Sequence, residues 1–490
     1  MKLKRLTAAL LVLMMVLSFA GCNNKNTQSE NVDSTVSDTD IFEGDTGDED
    51  VIVGQDDKNN SLINSGSQNN SSGGKTQGGK NPMGNTENYG VDKTATEKFF
   101  ETVPRSLRGK TVKVLSYYDP SATEKKKMEV FKEKTGITIK WITTSYGTQF
   151  TKLAAMIGQD NPPDLAPILQ GDFPAIVMQN YFQPLSGTKL DLKDKIFDID
   201  TMNQFKWNGN HYGAILKSST QVAFQVIIFN KSLFARSGVK NPYELWQSGN
   251  WNWDTFISTC TSIKSKAGVK YGIVGDYGGQ GLALTAGGVA VKFNGNKIVN
   301  NINDPLLVKG YQFVNDLASK YNVSEMSSSV TPFQTGESAM MIKENYVLQK
   351  GDWLEKNIKF EWGFAPAPCP KGSSVVVPSE YKAFGFPKGA KNVEAASYWL
   401  RYWFDTRYDP EDAQIWTNSA SGVAQFNSWL WDQKKVFYAQ RGIITYGADY
   451  NENDMDSNLC ICGSNNVSTE LKRWSNVIDT KIKIIMNDSK

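Results

Sequence analysis

The sequence predicts an α/β protein whose folded part follows a non-globular N-terminal segment. Three observations carry this. Beyond residue 110, short β-prone runs alternate with helical stretches; residues 23 to about 95 are polar and nearly free of aromatics; residues 6–20 are one unbroken apolar run. Strands alternating with helices assemble into parallel sheets with right-handed crossovers. The chain has 490 residues, 40% hydrophobic and 21% charged, with a formal net charge of +2, and its mean hydropathy is −0.42. That length allows roughly two to four domains. The hydropathy excludes a polytopic membrane protein, and the near-neutral charge gives no electrostatic case for nucleic acid. A single histidine makes a multi-histidine metal site impossible and narrows the acid–base options. Against that one histidine stand 13 Trp, 19 Tyr and 24 Phe, an aromatic content that calls for a use.

The first element is a targeting segment. Lys2, Lys4 and Arg5 supply a positive start, and LTAALLVLMMVLSFA follows. That run is short for a spanning helix, which needs about 20 residues, and suits a signal peptide. It ends in Ser18-Phe19-Ala20-Gly21-Cys22, small residues before a thiol that can be lipidated. This resembles a bacterial lipoprotein lipobox, with Phe19 where Leu is usual. Residues 1–21 are thus read as a signal peptide and Cys22 as a lipidation site; cleavage elsewhere or an uncleaved anchor is the alternative.

Residues 22–95 read as a disordered tether rich in Asn, Ser, Gly, Asp and Thr. Such a segment cannot bury enough apolar surface to offset chain entropy. It carries a net charge of about −8. A flexible chain of about 70 residues reaches roughly 45 Å, enough for a folded domain to explore a membrane surface. The remaining residues, 96–490, carry about +7, spread without a patch, and show no repeat of fixed period. Cys260, Cys369, Cys460 and Cys462 form no CxxC pair, so zinc is disfavoured and free buried thiols are the simplest reading.

The folded part opens with a strand at Thr111–Leu115. A helix with Met128 and Phe131 at helical spacing follows, stopped by Gly136. A second strand covers Ile137–Trp141, a helix covers Gln149 to Ile157, and a third strand covers Asp164–Leu169 after the turn Asn161-Pro162-Pro163. Ligands of parallel sheets sit beyond the carboxyl ends of strands. Those ends carry Ser116, Tyr117, Tyr118 and Asp119; then Thr144, Ser145 and Tyr146; then Gln170, Gly171 and Asp172.

At this point several motifs, in order, carry a resemblance. FKEKTGITIKW and KLAAMIGQDNPPDL are similar to the opening of the extracellular solute-binding proteins of carbohydrate ABC importers, the family 1, maltose-binding-protein-like group. Trp207-Asn208-Gly209-Asn210-His211-Tyr212-Gly213 resembles the family's hairpin, and Ile227–Phe234 its strand and helix start. Asn241-Pro242 through Trp253–Phe256, Phe333–Met340 and Trp362–Pro366 resemble three further family motifs. The similarity spans about residues 108–410; residues 411–490 match no motif, though the family has C-terminal helices there.

The resemblance implies a two-lobed, periplasmic-binding-protein-like type II clamshell. Lobe 1 would comprise residues 96–218 and 385–412, lobe 2 residues 222–376 and 413–490, with hinges near 218–222 and 377–384. It implies a binding protein rather than an enzyme, with no cofactor and no metal. The ligand would be a sugar or oligosaccharide captured between the lobes and handed to ABC permease subunits by a single, lipid-anchored copy on the outer face of the bacterial cell membrane. A sugar site combines aromatic faces, for the C–H faces of the rings, with polar partners for the hydroxyls. The candidates are Tyr117, Tyr118, Asp119, Tyr146 and Asp172 at the strand ends, and Ser219 and Gln221 at the first crossing. Asp276 and Tyr277 precede the turn Gly278-Gly279-Gln280-Gly281, and Glu380 and Tyr381 lie at the second crossing. Glu344, Asn345 and Tyr346 complete the set, Tyr346 standing where the family commonly carries a stacking Trp. A helix N-cap is the competing role for Asp172. His211, Trp251, Trp253 and the YWLRYWF run with Trp399, Trp403 and Phe404 read as structural, while Trp416, Trp429 and Trp431 stay open. A carbohydrate-active hydrolase is the first alternative; two carboxylates roughly 5–9 Å apart would be needed, and the 51 Asp and Glu cannot decide that. A surface glycan sensor or adhesin uncoupled from transport is the second.

Overall fold

The computed structural model describes residues 93–217, 222–275, 279–325, 329–348, 353–404, 433–437, 440–444 and 454–488, with residues 446 and 450. The signal peptide, Cys22, the tether up to residue 92, Ser219, Gln221, Asp276, Tyr277, Trp416, Trp429 and Trp431 lie outside the described residues.

Among the described residues a helix at Lys93–Glu101 comes first, and its first three residues fall within the segment expected to be tether. Strand β1 (Thr111–Ser116) and β2 (Thr138–Thr143) then pair in parallel, Thr111 opposite Thr138 through Ser116 opposite Thr143. The helix between them, Ala122–Thr135, starts in a capping box of Ser121 and Glu124 and stops at Gly136 in the left-handed region, φ 72°. Helix Gln149–Gly158 leads to β3 (Ala166–Leu169). The predicted order of elements is present.

The remaining strands are β4 (Phe182–Gln183), β5 (Lys206–Trp207), β6 (Asn210–His211), β7 (Val222–Asn230), β8 (Tyr271–Gly275), β9 (Val291–Asn294), β10 (Lys297–Asn300), β11 (Ser324–Glu325), β12 (Ser338–Glu344), β13 (Trp362–Pro366), β14 (Val376–Pro387) and β15 (Lys434–Phe437).

The three expected strands run parallel to one another, and β14 adds antiparallel partners that make the sheet mixed. β3 meets β1 only at the bridge Val114–Leu165, and its ladder is antiparallel to β14, Lys382 opposite Leu169. The reason lies in β14. Its 12 residues pair in turn with β15, β7, β3 and β4. It thus links the β3 and β4 region to a second region in which β7 pairs with β12 and β13 and β12 pairs with β8. The expected second hinge, 377–384, lies within this one strand.

Both regions have dense cores. Trp399 and Trp403 are buried on helix Val393–Phe404, with Phe131 edge-on to Trp399. Trp253 stacks on Phe313 at 3.9 Å, and its indole N–H donates to Thr285 Oγ1 and the Pro368 carbonyl. Trp251 donates to the Pro366 carbonyl at 2.7 Å. Asp456, fully buried, accepts from Gln280 Nε2 at 2.6 Å and from the Tyr311 hydroxyl, which pins helix Asp454–Ile461 to the second region. Cys260, Cys369, Cys460 and Cys462 are buried free thiols.

Candidate functional site

The carboxyl ends of β1, β2 and β3 converge on a cluster of tyrosines. Tyr117 follows β1 and is buried, with the rings of Tyr118 and Tyr146 both edge-on at 5.4 Å. Tyr146 is 40% exposed, which leaves part of its ring open to solvent. Tyr118 is edge-on to Trp141 at 5.8 Å, and its carbonyl accepts the Trp141 indole N–H at 2.9 Å. The Tyr118 hydroxyl donates to Glu124 Oε1 at 3.0 Å, an oxygen that also accepts the Trp403 indole N–H. Burial, then nearby carboxylates, holds both tyrosine hydroxyls well above the usual phenol range, so both are neutral donors. Asp119 is exposed and accepts from Thr143 Oγ1 at 2.5 Å.

Asp172 lies in the turn after β3. The N-cap of helix Ala175–Met178 is Pro174. The Asp172 carboxylate accepts from Gln149 Nε2 at 3.2 Å. Gln149 and Gln170 are buried, yet Gln149 Oε1 and Gln170 Oε1 accept no hydrogen bond. Glu344 repeats the pattern: its Oε1 accepts from Gln225 Nε2 at 3.2 Å, while its buried Oε2 accepts none. Gln225 Oε1 is occupied by the Gly281 N–H at 2.8 Å. Buried acceptors are nearly always satisfied, so each of these oxygens suits an incoming donor.

Register ties the two halves together. Gln225 faces Glu344 across β7 and β12, and Ala223 faces Glu380 across β7 and β14. Alternation along a strand then puts Glu344, Gln225, Glu380 and Lys382 on one sheet face and Tyr381 on the other. Tyr381 is accordingly in the core, 3% exposed, with Thr201 Oγ1 at 3.4 Å from its hydroxyl. Asn345 is also buried, and its Oδ1 accepts the Phe224 backbone N–H at 3.0 Å. Tyr346 is half-buried in the 3-10 turn Asn345–Leu348. His211 is half-buried, its Nε2 2.9 Å from Asn203 Oδ1.

Lys382 was not among the expected site residues. Its Nζ stands 4.1 Å from the centre of the Tyr118 ring and 5.3 Å from that of Tyr117. Burial pushes its pKa down to about 8, with Glu124 working against the fall. The unfolded chain titrates near the ordinary lysine value of about 10.4, so the cost of charge burial is present below pH 8. That cost is relieved as pH rises from about 8 to about 10.4, and stability increases across that window. In a titration of 13C-methylated lysines, one resonance should move with a midpoint near 8 and be missing from Lys382→Met. A midpoint above 10 for that resonance would refute the burial argument.

Among the described residues no group of three or more His, Cys, Asp or Glu side chains could hold a metal ion. No described helix is long and apolar enough to cross a membrane.

Comparison with known proteins bears on the family and the fold. Residues 114–409 match the family model described as bacterial extracellular solute-binding protein. The fold is similar to the cyclic α-maltosyl-1,6-maltose binding protein of Arthrobacter globiformis (TM-score 0.60, 16% identity, covering 76% of this chain and 99% of that one). It is similar to an ABC substrate-binding protein of Listeria monocytogenes in complex with cycloalternan (TM-score 0.54, 17% identity, 76% and 98%). It is also similar to UgpB of Mycobacterium tuberculosis in complex with glycerophosphocholine (TM-score 0.55, 14% identity, 78% and 99%). These likenesses establish a two-lobed, periplasmic-binding-protein-like fold. No curated protein matches the sequence.

Proposed function

Since the chain belongs to the bacterial extracellular solute-binding proteins, we propose that it captures a sugar or oligosaccharide between its lobes and delivers it to an ABC permease. The observation that carries the sugar reading is the pairing of tyrosine faces with unsatisfied buried acceptors. Tyr146, 40% exposed, offers a ring open to solvent beside Tyr117, while Gln149 Oε1, Gln170 Oε1 and Glu344 Oε2 await donors. A sugar supplies both complements: C–H faces for the rings and hydroxyl protons for the oxygens. The solved neighbours named with maltose-type and cycloalternan ligands favour the same class.

The site of this proposal comprises Tyr117, Tyr118, Asp119, Tyr146, Asp172, Glu344 and Glu380, joined by Gln149, Gln170 and Lys382. Tyr346 is retained as a stacking ring. Cys22 would hold the protein at the outer face of the membrane through its lipid.

A thermal-shift screen of the full chain with mono- and oligosaccharides tests this. A specific sugar at 100 times its Kd should add about 2.7 kcal/mol of stability. Silence toward every sugar, with a response to peptides or polyamines, overturns the substrate class. Turnover of an oligosaccharide would replace binding by hydrolysis.

A further inference from the structure

Two hairpins from different parts of the chain meet tip to tip. The β5–β6 hairpin turns on Asn208 and Gly209, φ 47° and 80°, both in the left-handed region that an Asn-Gly turn supplies cheaply. The β9–β10 hairpin turns through Gly295, and the Asn208 N–H donates to the Gly295 carbonyl at 2.9 Å. Phe293 is the half-buried residue of an otherwise exposed tip: Lys292, Asn294, Gly295, Asn296 and Lys297 all face solvent. Its ring lies edge-on to Phe173 at 5.2 Å and to Trp207 at 6.2 Å.

Phe173 is fully buried and directly follows Asp172. The amides of both residues donate to the Leu169 carbonyl, at 3.0 and 3.3 Å, and so close the turn that presents the Asp172 carboxylate. Phe293 belongs to the region beyond β7, because β10 packs on the C-terminal helix Val467–Asp488, where Asn300 Nδ2 donates to Asp479 at 2.9 Å. A side chain of the second lobe therefore rests on the ring that anchors a turn of the first.

We propose that Phe293 is a positioning residue: it holds the Asp172 turn from across the interlobe junction, so lobe placement and site geometry are set together. In the family reading this makes the hairpin a determinant of ligand affinity that lies outside the cleft. A turn held in its binding geometry before the ligand arrives binds more tightly, because ordering costs are already met.

Amide hydrogen exchange on the full chain, without ligand, tests the coupling independently of what the protein binds. Phe293→Ala should speed exchange at Asn208, Asp172 and Phe173 by about tenfold, and leave Ile227–Phe229 of β7 and Met340–Ile342 of β12 unchanged. Phe293→Tyr, which keeps the ring, should restore slow exchange at all three. Trp207→Leu, on the facing hairpin, should speed the same three amides and serves if Phe293→Ala does not fold. Faster exchange at Asn208 alone would reduce the contact to a local clasp and overturn the positioning role. A rise spread over β7 and β12 would mean general destabilisation and would overturn it too. Failure of the sugar screen would leave this result standing, and the reverse holds as well.

Discussion

Replacing Asp172 by alanine is expected to weaken sugar binding about 100-fold while leaving the unliganded fold in place. The carboxylate is half-buried and is oriented by Gln149 Nε2 at 3.2 Å. A charged acceptor bonded to a ligand hydroxyl is worth about 1.5–3 kcal/mol, and its loss also frees Gln149 to turn away from the site. Asp172→Asn keeps the shape and one oxygen, so it should lose less. Calorimetric titration with whichever sugar responds in the thermal screen is the measurement. An affinity within threefold of the parent protein would remove Asp172 from the site.

The second large effect is structural. Asp164→Ala is expected to cost about 3 kcal/mol of folding stability. Asp164 is fully buried, and its two oxygens accept the backbone N–H groups of Lys113 at 2.9 Å, Lys391 at 3.0 Å and Asn392 at 2.7 Å. One side chain thereby joins β1 to the start of helix Val393–Phe404, which returns from the far end of the sequence. Alanine leaves those three backbone donors without their acceptor. Denaturant unfolding of the variant checks this, and a loss below 1 kcal/mol would show that water or a shifted Asn392 replaces the carboxylate. The Asp164→Asn variant should recover part of the loss, since its one carbonyl oxygen can still accept.

Local elements were legible because their signals are local. The Ser121–Glu124 capping box and Gly136 bound a helix in any context, and Asn208-Gly209 turns a hairpin without outside help. The strand ends bearing Tyr117, Tyr118, Tyr146 and Asp172 followed from the order of strands and helices, which the structure contains. Lys382 was missed because in sequence it is one lysine among many, and lysines are mostly solvated. The signal that could have found it is alternation. If Glu380 faces a site, its strand neighbour Tyr381 faces away and Lys382 returns to the same side. Gln149 was read only as the start of a helix, since nothing local tells a buried glutamine from an exposed one.

By itself, then, the sequence determined the α/β class, the family, the helix and turn boundaries and the residues at three strand ends, all set by short-range periodicity and turn chemistry. Tertiary structure alone decided that β3 pairs antiparallel with a strand arriving more than 200 residues later. It also decided that Lys382 lies over two tyrosine rings, and that Phe293 rests on the residue after Asp172. The physical reason is the same in each case. Strand register and interlobe contact join residues distant in the chain, and a shift of one residue in register would send every side chain of β14 to the opposite face.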